Sequence, residues 1–149
     1  MFTRFLTLCS SFLLLAFSLA SQAEDQGGQF KNLGDWEVHY IAFPSTFLQP
    51  NIAKSYGLER SKFTGVVNIS VLDSRTKDKV AQRVTIKGKA RNLLGNTIDL
   101  EFKEVVEGDA VYYLAPIKFY NEEVYRFEID LQQDRQIQQL TFQQKFYVD

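Results

Sequence analysis

His39 is the chain's only histidine, and Glu37 stands two residues before it. On an extended strand that spacing puts both side chains on one face, where a carboxylate can orient an imidazole for proton transfer. A hydrolase would also need a hydroxyl nucleophile, and none lies nearby in the sequence. Ser61 or Ser70 would have to arrive through the fold, and neither sits in a nucleophile-elbow pattern. The plainer reading is a histidine on a surface strand, so no catalytic residue is assigned.

Metal chemistry has less to draw on. Cys9 is the only cysteine and Met1 the only methionine, so with one histidine the usual zinc and copper(I) ligand sets are missing. The acidic residues are scattered, without a calcium-loop pattern. No metal site and no cofactor is expected.

Two basic groupings could hold an anion. The first follows a break in the strand pattern between residues 43 and 68. Pro44 and Pro50 bracket its start; Pro50 suits a first helical position and Gly57 a C′ stop. This predicts a helix of about two turns inserted between two strands. After it, Arg60, Ser61 and Lys62 join Tyr56 in a set of guanidinium, hydroxyl, ammonium and aromatic groups. Such a set suits a carboxylate or phosphate on a partner; the plain alternative is a helix end and a solvated strand entry. The second grouping is the row Arg83, Lys87, Lys89, Arg91. A hairpin closed at Leu94-Gly95 would set Arg91 against Asp99 and Lys89 against Glu101, pairs contributing about 0.2–1 kcal/mol each. Lys87 would then face Lys103.

The elements that must position these residues are strands. Period-two alternation predicts them over 34–43, 63–72, 80–90, 97–106, 110–119, 123–131 and 138–148. Residues 24–32 read as a polar lead-in. Trp36, Val38, Tyr40 and Ala42 share one face of the first strand. Pro116 calls for a bulge or an edge in the fifth, and Ile137, out of phase with Leu140 and Phe142, calls for a bulge near Gln138. Seven short strands with one helix between the first two predict an all-β, immunoglobulin-like antiparallel two-sheet sandwich. Glu107 to Ala115 (EGDAVYYLA) resembles the penultimate strand of an antibody variable domain, with Tyr112 placed for a tyrosine-corner hydrogen bond.

The N-terminus reads as a secretory signal. Arg4 precedes an uncharged apolar run over 5–19, and Ser21-Gln22-Ala23 offers small residues before a cut ahead of Glu24. The run is short for a membrane span, so no stable membrane insertion is expected after cleavage. Residues 24–149 form one domain, long enough to fold on its core without disulfides. The whole chain carries 17 basic and 18 acidic residues, and a leader over 1–23 removes only Arg4. No overall basic field exists to hold nucleic acid or an anionic membrane.

Several segments also resemble a known family. Phe47-Leu48-Gln49-Pro50, then Tyr56-Gly57-Leu58-Glu59-Arg60-Ser61-Lys62 with Gly65 and Asn68, is similar to the N-terminal signature of domain-of-unknown-function family 4426 (DUF4426), short exported proteins of Gram-negative bacteria. Ala90-Arg91-Asn92-Leu93-Leu94-Gly95 and Gly108-Asp109-Ala110-Val111-Tyr112-Tyr113-Leu114-Ala115 resemble its later blocks. The resemblance covers nearly all of the mature chain. It implies a periplasmic location and a single domain, with no activity or catalytic residue to carry over. It also gives Arg91 and Asn92 weight as site residues.

The expectation is a non-enzymatic binding or accessory module in the periplasm, for an envelope protein or a small anionic ligand. Its site would be Tyr56, Arg60, Ser61 and Lys62, joined by Arg91 and Asn92. The alternatives are a structural subunit that adds a strand to a neighbour through its last strand, and a hydrolase using His39.

Overall fold

The computed structural model describes residues 29–148; the expected signal and its cleavage point lie outside them. Nine strands form two antiparallel sheets: β1 (Gln29–Leu33), β2 (Trp36–Pro44), β3 (Thr64–Asp73), β4 (Thr85–Asn92), β5 (Thr97–Leu100), β6 (Lys103–Glu107), β7 (Ala110–Lys118), β8 (Glu123–Gln133) and β9 (Gln136–Phe146). The first sheet has the order β1-β2-β3-β7-β6 and the second β5-β4-β8-β9. Their inner faces enclose one core in which Trp36, Val38, Ile69, Val71, Phe127 and Leu140 are almost wholly buried. The alternation that named Trp36, Val38, Tyr40 and Ala42 as one inward face is the alternation the core uses. Ring pairs reinforce it: Phe127 stacks on Phe142 at 4.6 Å and Phe119 on Phe146 at 4.7 Å.

The two sheets share their ends. Tyr125 Oη, on β8, donates to the Lys118 carbonyl on β7 at 3.1 Å, and Phe119 N donates to the Phe63 carbonyl at 2.9 Å. One end of the sandwich therefore carries the exits of β2, β4, β7 and β9 and the entries to β3, β5 and β8.

The inserted helix, α1 (Pro50–Ser55), is as short as expected and has Pro50 at its start. Gly57 takes φ +68°, its N–H bonds the Lys54 carbonyl, and Leu58 N bonds that of Ala53 at 2.8 Å. That is a Schellman ending, and its left-handed residue is the reason glycine stands there. A single 3-10 turn, Ser45–Phe47, precedes the helix.

Other boundaries differ from the sequence-based ones. The polar lead-in contains β1, an edge strand joined to β2 by the two-residue turn Gly34-Asp35, with Gly34 at φ +58°. Its solvent-facing side weakens the apolar signal. The run over 97–106 is two strands in different sheets, because the chain crosses between layers at Glu101-Phe102. There Phe102 packs beside Gly88, where an added Cβ would lie 3.0 Å from the ring. Residues 80–84 are not part of β4; an isolated bridge sets Ala81 opposite Leu72 instead. The β4–β5 register is shifted by two, pairing Lys89 with Asp99 and Arg91 with Thr97. No bulge interrupts β9, which pairs with β8 without a break from Gln136 to Phe146, and Ile137 simply faces solvent. Pro116 lies outside the β6 ladder, which starts at Lys103 opposite Leu114, so β7 keeps only β3 as a neighbour there.

Candidate functional site

The outer face of the five-stranded sheet is concave where β3 and β7 separate. Their ladder runs from Thr64↔Lys118 to Ile69↔Tyr113 and stops. Beyond it the segment after β3 takes the place of β7: Asp73 N bonds the Val80 carbonyl and Gln82 N that of Val71, both at 2.8 Å. Val84 N donates to Tyr113 Oη at 2.8 Å, which ties the returning segment to β7. The separation leaves a groove of about 850 Å³. Outward residues of three strands (His39, Ile41, Asn68, Ser70, Tyr112) line it. Asp78 to Ala81 of the return and Asp109 and Ala110 at the start of β7 complete its lining.

At one edge of the groove Glu37 is almost fully buried and still ionised. Lys79 Nζ lies 2.7 Å from Glu37 Oε2, and His39 Nε2 lies 2.7 Å from Oε1. The Lys79 ammonium first and the His39 N–H second hold the Glu37 carboxyl below its ordinary value, against the opposing effect of burial. Because an ionised carboxylate only accepts, the proton between them belongs to His39 Nε2. The Phe30 ring covers the imidazole with centroids 5.3 Å apart. Lys79 reaches Glu37 from a backbone at φ +46°, an unfavourable conformation for a side chain of that size.

Asn68 stands deeper, between the groove and a smaller recess of about 270 Å³ that includes Phe43, Leu48, Tyr56 and Leu58. Its Oδ1 is buried and takes no hydrogen bond from any described residue. Asn68 and Ser70 form a glycosylation sequon, but both sit within β3 on the groove floor. Ser70 is the direct cross-strand partner of His39. Among the described residues no hydrogen bond joins the imidazole to a hydroxyl, so the acid–histidine–serine set is assembled on one face without being connected. Lys79 and Asn68 were not singled out by sequence reasoning. Lys79 meets Glu37 only through the β3–β4 return, and a lone asparagine in a strand gives no sign that its acceptor will be orphaned.

The residues expected at the site are placed differently. Arg60 Nε donates to the Leu48 carbonyl at 2.7 Å and a terminal nitrogen to that of Thr46 at 3.2 Å. Ser61 exchanges bonds with Ser45: its N–H donates to Ser45 Oγ, which donates to the Ser61 carbonyl. These bonds staple the inserted segment to the entry of β3. Tyr56 Oη donates to Glu107, which holds the phenol above its ordinary value, and Lys103 Nζ reaches the Tyr56 carbonyl at 3.2 Å. Lys62 makes no side-chain hydrogen bond or ion pair among the described residues. Arg91 and Asn92 lie on the other sheet, at the same end of the sandwich as Arg60 to Lys62 but not bonded to them. Asn92 Oδ1 accepts from Asn96 N at 2.9 Å and shapes the β4–β5 turn. Of the basic row, Arg83 is outside β4 and bridges to Glu104. Tyr112 makes no side-chain hydrogen bond among the described residues, whereas its neighbour Tyr113 donates to Glu104 at 3.0 Å. No cluster of three or more His, Cys, Asp or Glu residues suited to a metal occurs among the described residues.

No curated protein matches this chain. A crystal structure of a DUF4426 family protein from Pseudomonas aeruginosa PAO1 is 36% identical, with a TM-score of 0.72, over 84% of this chain and 98% of that one. A copper-bound variant of FetP from uropathogenic Escherichia coli strain F11 is 13% identical, with a TM-score of 0.56, over 82% of this chain and 91% of that one. FetP as isolated after expression in the E. coli periplasm aligns equally well, over 82% and 95%. At that identity the likeness to FetP is one of fold. The model of the domain of unknown function DUF4426 matches residues 30–149, and together with the Pseudomonas relative this shows that the chain belongs to the DUF4426 family.

Proposed function

We propose that the protein is a non-enzymatic binding module of the periplasm whose ligand site is the groove between β3 and β7. The observation that carries this is the separation of the two strands, which opens a recess with the buried Asn68 acceptor on its floor. A recess of that size, mostly apolar with a few converging polar groups, is what a small-molecule site requires. Ile41, Leu72, Val80 and Tyr112 would cover an apolar body. Asp78 and Asp109 both line the groove, and Lys79 is already committed to Glu37. The groove therefore suits a neutral or cationic hydrogen-bond donor better than the small anion expected from the sequence. Export is part of the same reading, supported by the apolar leader and by the fold shared with a protein expressed in the periplasm.

Phenylnaphthylamine, a neutral apolar amine, is a suitable probe. Its fluorescence should rise saturably with the wild-type protein, and Ser70→Phe, which fills the groove, should abolish the rise without lowering Tm. An unchanged rise in Ser70→Phe, or none in the wild type, would end this reading.

Strand addition is the second reading. β9 pairs only with β8, which leaves an eleven-residue edge. Lys31 Nζ already donates to the Thr141 carbonyl on that edge, a device that blocks pairing, so this reading ranks below the groove.

A further inference from the structure

On the outward face of the second sheet the side chains form rows across the strands, and two of the rows balance their charge. Lys89 sits between Asp99 on β5 and Glu128 on β8, and its ammonium lies 3.5 Å from Glu128. Lys87 opposes Asp130. The row nearest the β4–β5 turn breaks the rule: Arg91 opposes Arg126, with Thr97 and Gln143 on the flanking strands. Both arginines are exposed, and neither guanidinium makes a hydrogen bond or ion pair among the described residues. Like charges set directly opposite destabilise a ladder. An oxyanion between the two would reverse that penalty, and planar guanidinium groups suit phosphate oxygens.

The turn beyond Arg91 is apolar and well built. Gly95 N bonds the Asn92 carbonyl at 3.1 Å and Asn96 N bonds Asn92 Oδ1, so the turn displays Leu93 and Leu94 in a defined shape. They are 82% and 86% exposed, more than any other large hydrophobic residue described. Tyr120, 75% exposed, stands at the same end of the sandwich. So does Tyr147, with Lys145 Nζ 5.3 Å from its ring centroid. Val148 N bonds Asn121 Oδ1, which ties the segment after β9 to the β7–β8 turn. On the first sheet this end also carries Phe63, half-exposed, with Lys62 before it.

From this arrangement we infer that the protein docks end-on to a bilayer containing anionic phospholipid. Arg91 and Arg126 hold headgroup phosphate, and Leu93 and Leu94 enter the interface. Three features favour a bilayer over a protein partner. The apolar groups sit on separate projecting turns rather than in one contiguous patch, which a deformable phase accommodates more readily than a second folded surface. Tyrosines with an apolar body and polar tip border them, as at membrane interfaces. Arg91 and Arg126 stand side by side at this end, with Glu122 and Glu123 at the β7–β8 turn, in a chain whose formal net charge is −1, so the attraction is local to the arginine pair and oriented. The contact is peripheral and involves neither the groove nor a membrane-spanning segment.

Cosedimentation with vesicles tests this. The purified protein should bind vesicles of phosphatidylcholine mixed with phosphatidylglycerol and ignore phosphatidylcholine alone, and added salt should weaken the binding. Arg91→Gln with Arg126→Gln should weaken it about thirty-fold, the effect of losing two surface-adjacent cations, while Arg91→Lys with Arg126→Lys retains most of it. Leu93→Ser with Leu94→Ser should abolish it with Tm unchanged, because both side chains are already in water. Absence of binding to the anionic vesicles, or a paired-glutamine variant that binds like the wild type, would overturn the inference. So would displacement from vesicles by inorganic phosphate well beyond that caused by chloride at the same ionic strength, which would mark an isolated oxyanion site. A photo-crosslinker at Leu94 that captures only protein in cells, with no vesicle binding, would overturn it in favour of a protein interface. Phenylnaphthylamine binding in the groove should be the same in all these variants.

Discussion

Glu37 is the residue whose charge state matters most to the groove. Its folded carboxyl is held below the ordinary 4.5 by Lys79 and then His39. The stabilisation is therefore fully present above pH 4.5 and lost as pH falls through the lowered folded value. Glu37→Gln should cost about 2 kcal/mol at neutral pH, since it strips two charge-assisted bonds from a buried site. In urea denaturation the gap between variant and wild type should narrow progressively as pH falls below 4.5; a gap independent of pH would mean that packing, not ionisation, is what the residue supplies. Gly65 makes a steric case. A Cβ there would lie 2.8 Å from a ring carbon of Phe146 and 3.2 Å from Ile117 Cγ2, both in the core. Gly65→Ala should lower stability by about 1–3 kcal/mol by overpacking, read as a lower denaturation midpoint.

The inserted segment between β2 and β3 is the element whose role changed most between sequence and structure. Its helix was legible from Pro50 and Gly57 because both act through local sterics. The polar residues after it suggested a binding cluster, yet Arg60 and Ser61 use hydrogen-bonding groups to hold the segment down. Arg60→Ala should lower stability by about 1 kcal/mol through the lost bonds to Thr46 and Leu48. It should also speed proteolysis within residues 45–62, with groove-probe binding retained. If stability and proteolysis stayed unchanged while a partner was lost, the staple would be incidental and the binding role primary. The β3–β4 return has the opposite character. Residues 74–79 read only as a turn and 80–84 as the start of a strand, yet the return wedges beside β3, creates the groove and brings Lys79 to Glu37.

At the scale of the whole molecule the two sheets close on one side through the chain itself, which crosses between them at Glu101-Phe102. On the other side β1 and β9 face each other as edges, and Lys31 spans the gap to Thr141. Lys31→Ala should free the β9 edge and raise self-association, visible by sedimentation velocity as a concentration-dependent increase in dimer. A monomer at every concentration would mean that the edge is protected by other means. The groove and the turn end with Leu93 and Leu94 lie on different faces of the sandwich. Ligand binding and surface docking can therefore be measured separately.

The sequence by itself determined which residues turn inward, where the short helix starts and stops, and to which family the blocks around Arg60, Arg91 and Tyr112 belong. All three are local properties: alternation has period two, Pro50 and Gly57 restrict their own backbone, and motif blocks are contiguous. Only the tertiary structure decided which strands meet. A register shifted by two keeps every side chain on its face, so alternation could not tell Arg91 opposite Asp99 from Arg91 opposite Thr97, nor anticipate Arg126 on the other side. In the same way an unbroken alternating run over 97–106 hid a change of sheet, and nothing near Lys79 in the chain pointed to Glu37. Partner choice depends on contacts between residues distant in sequence, and a single chain read for periodicity carries no record of them.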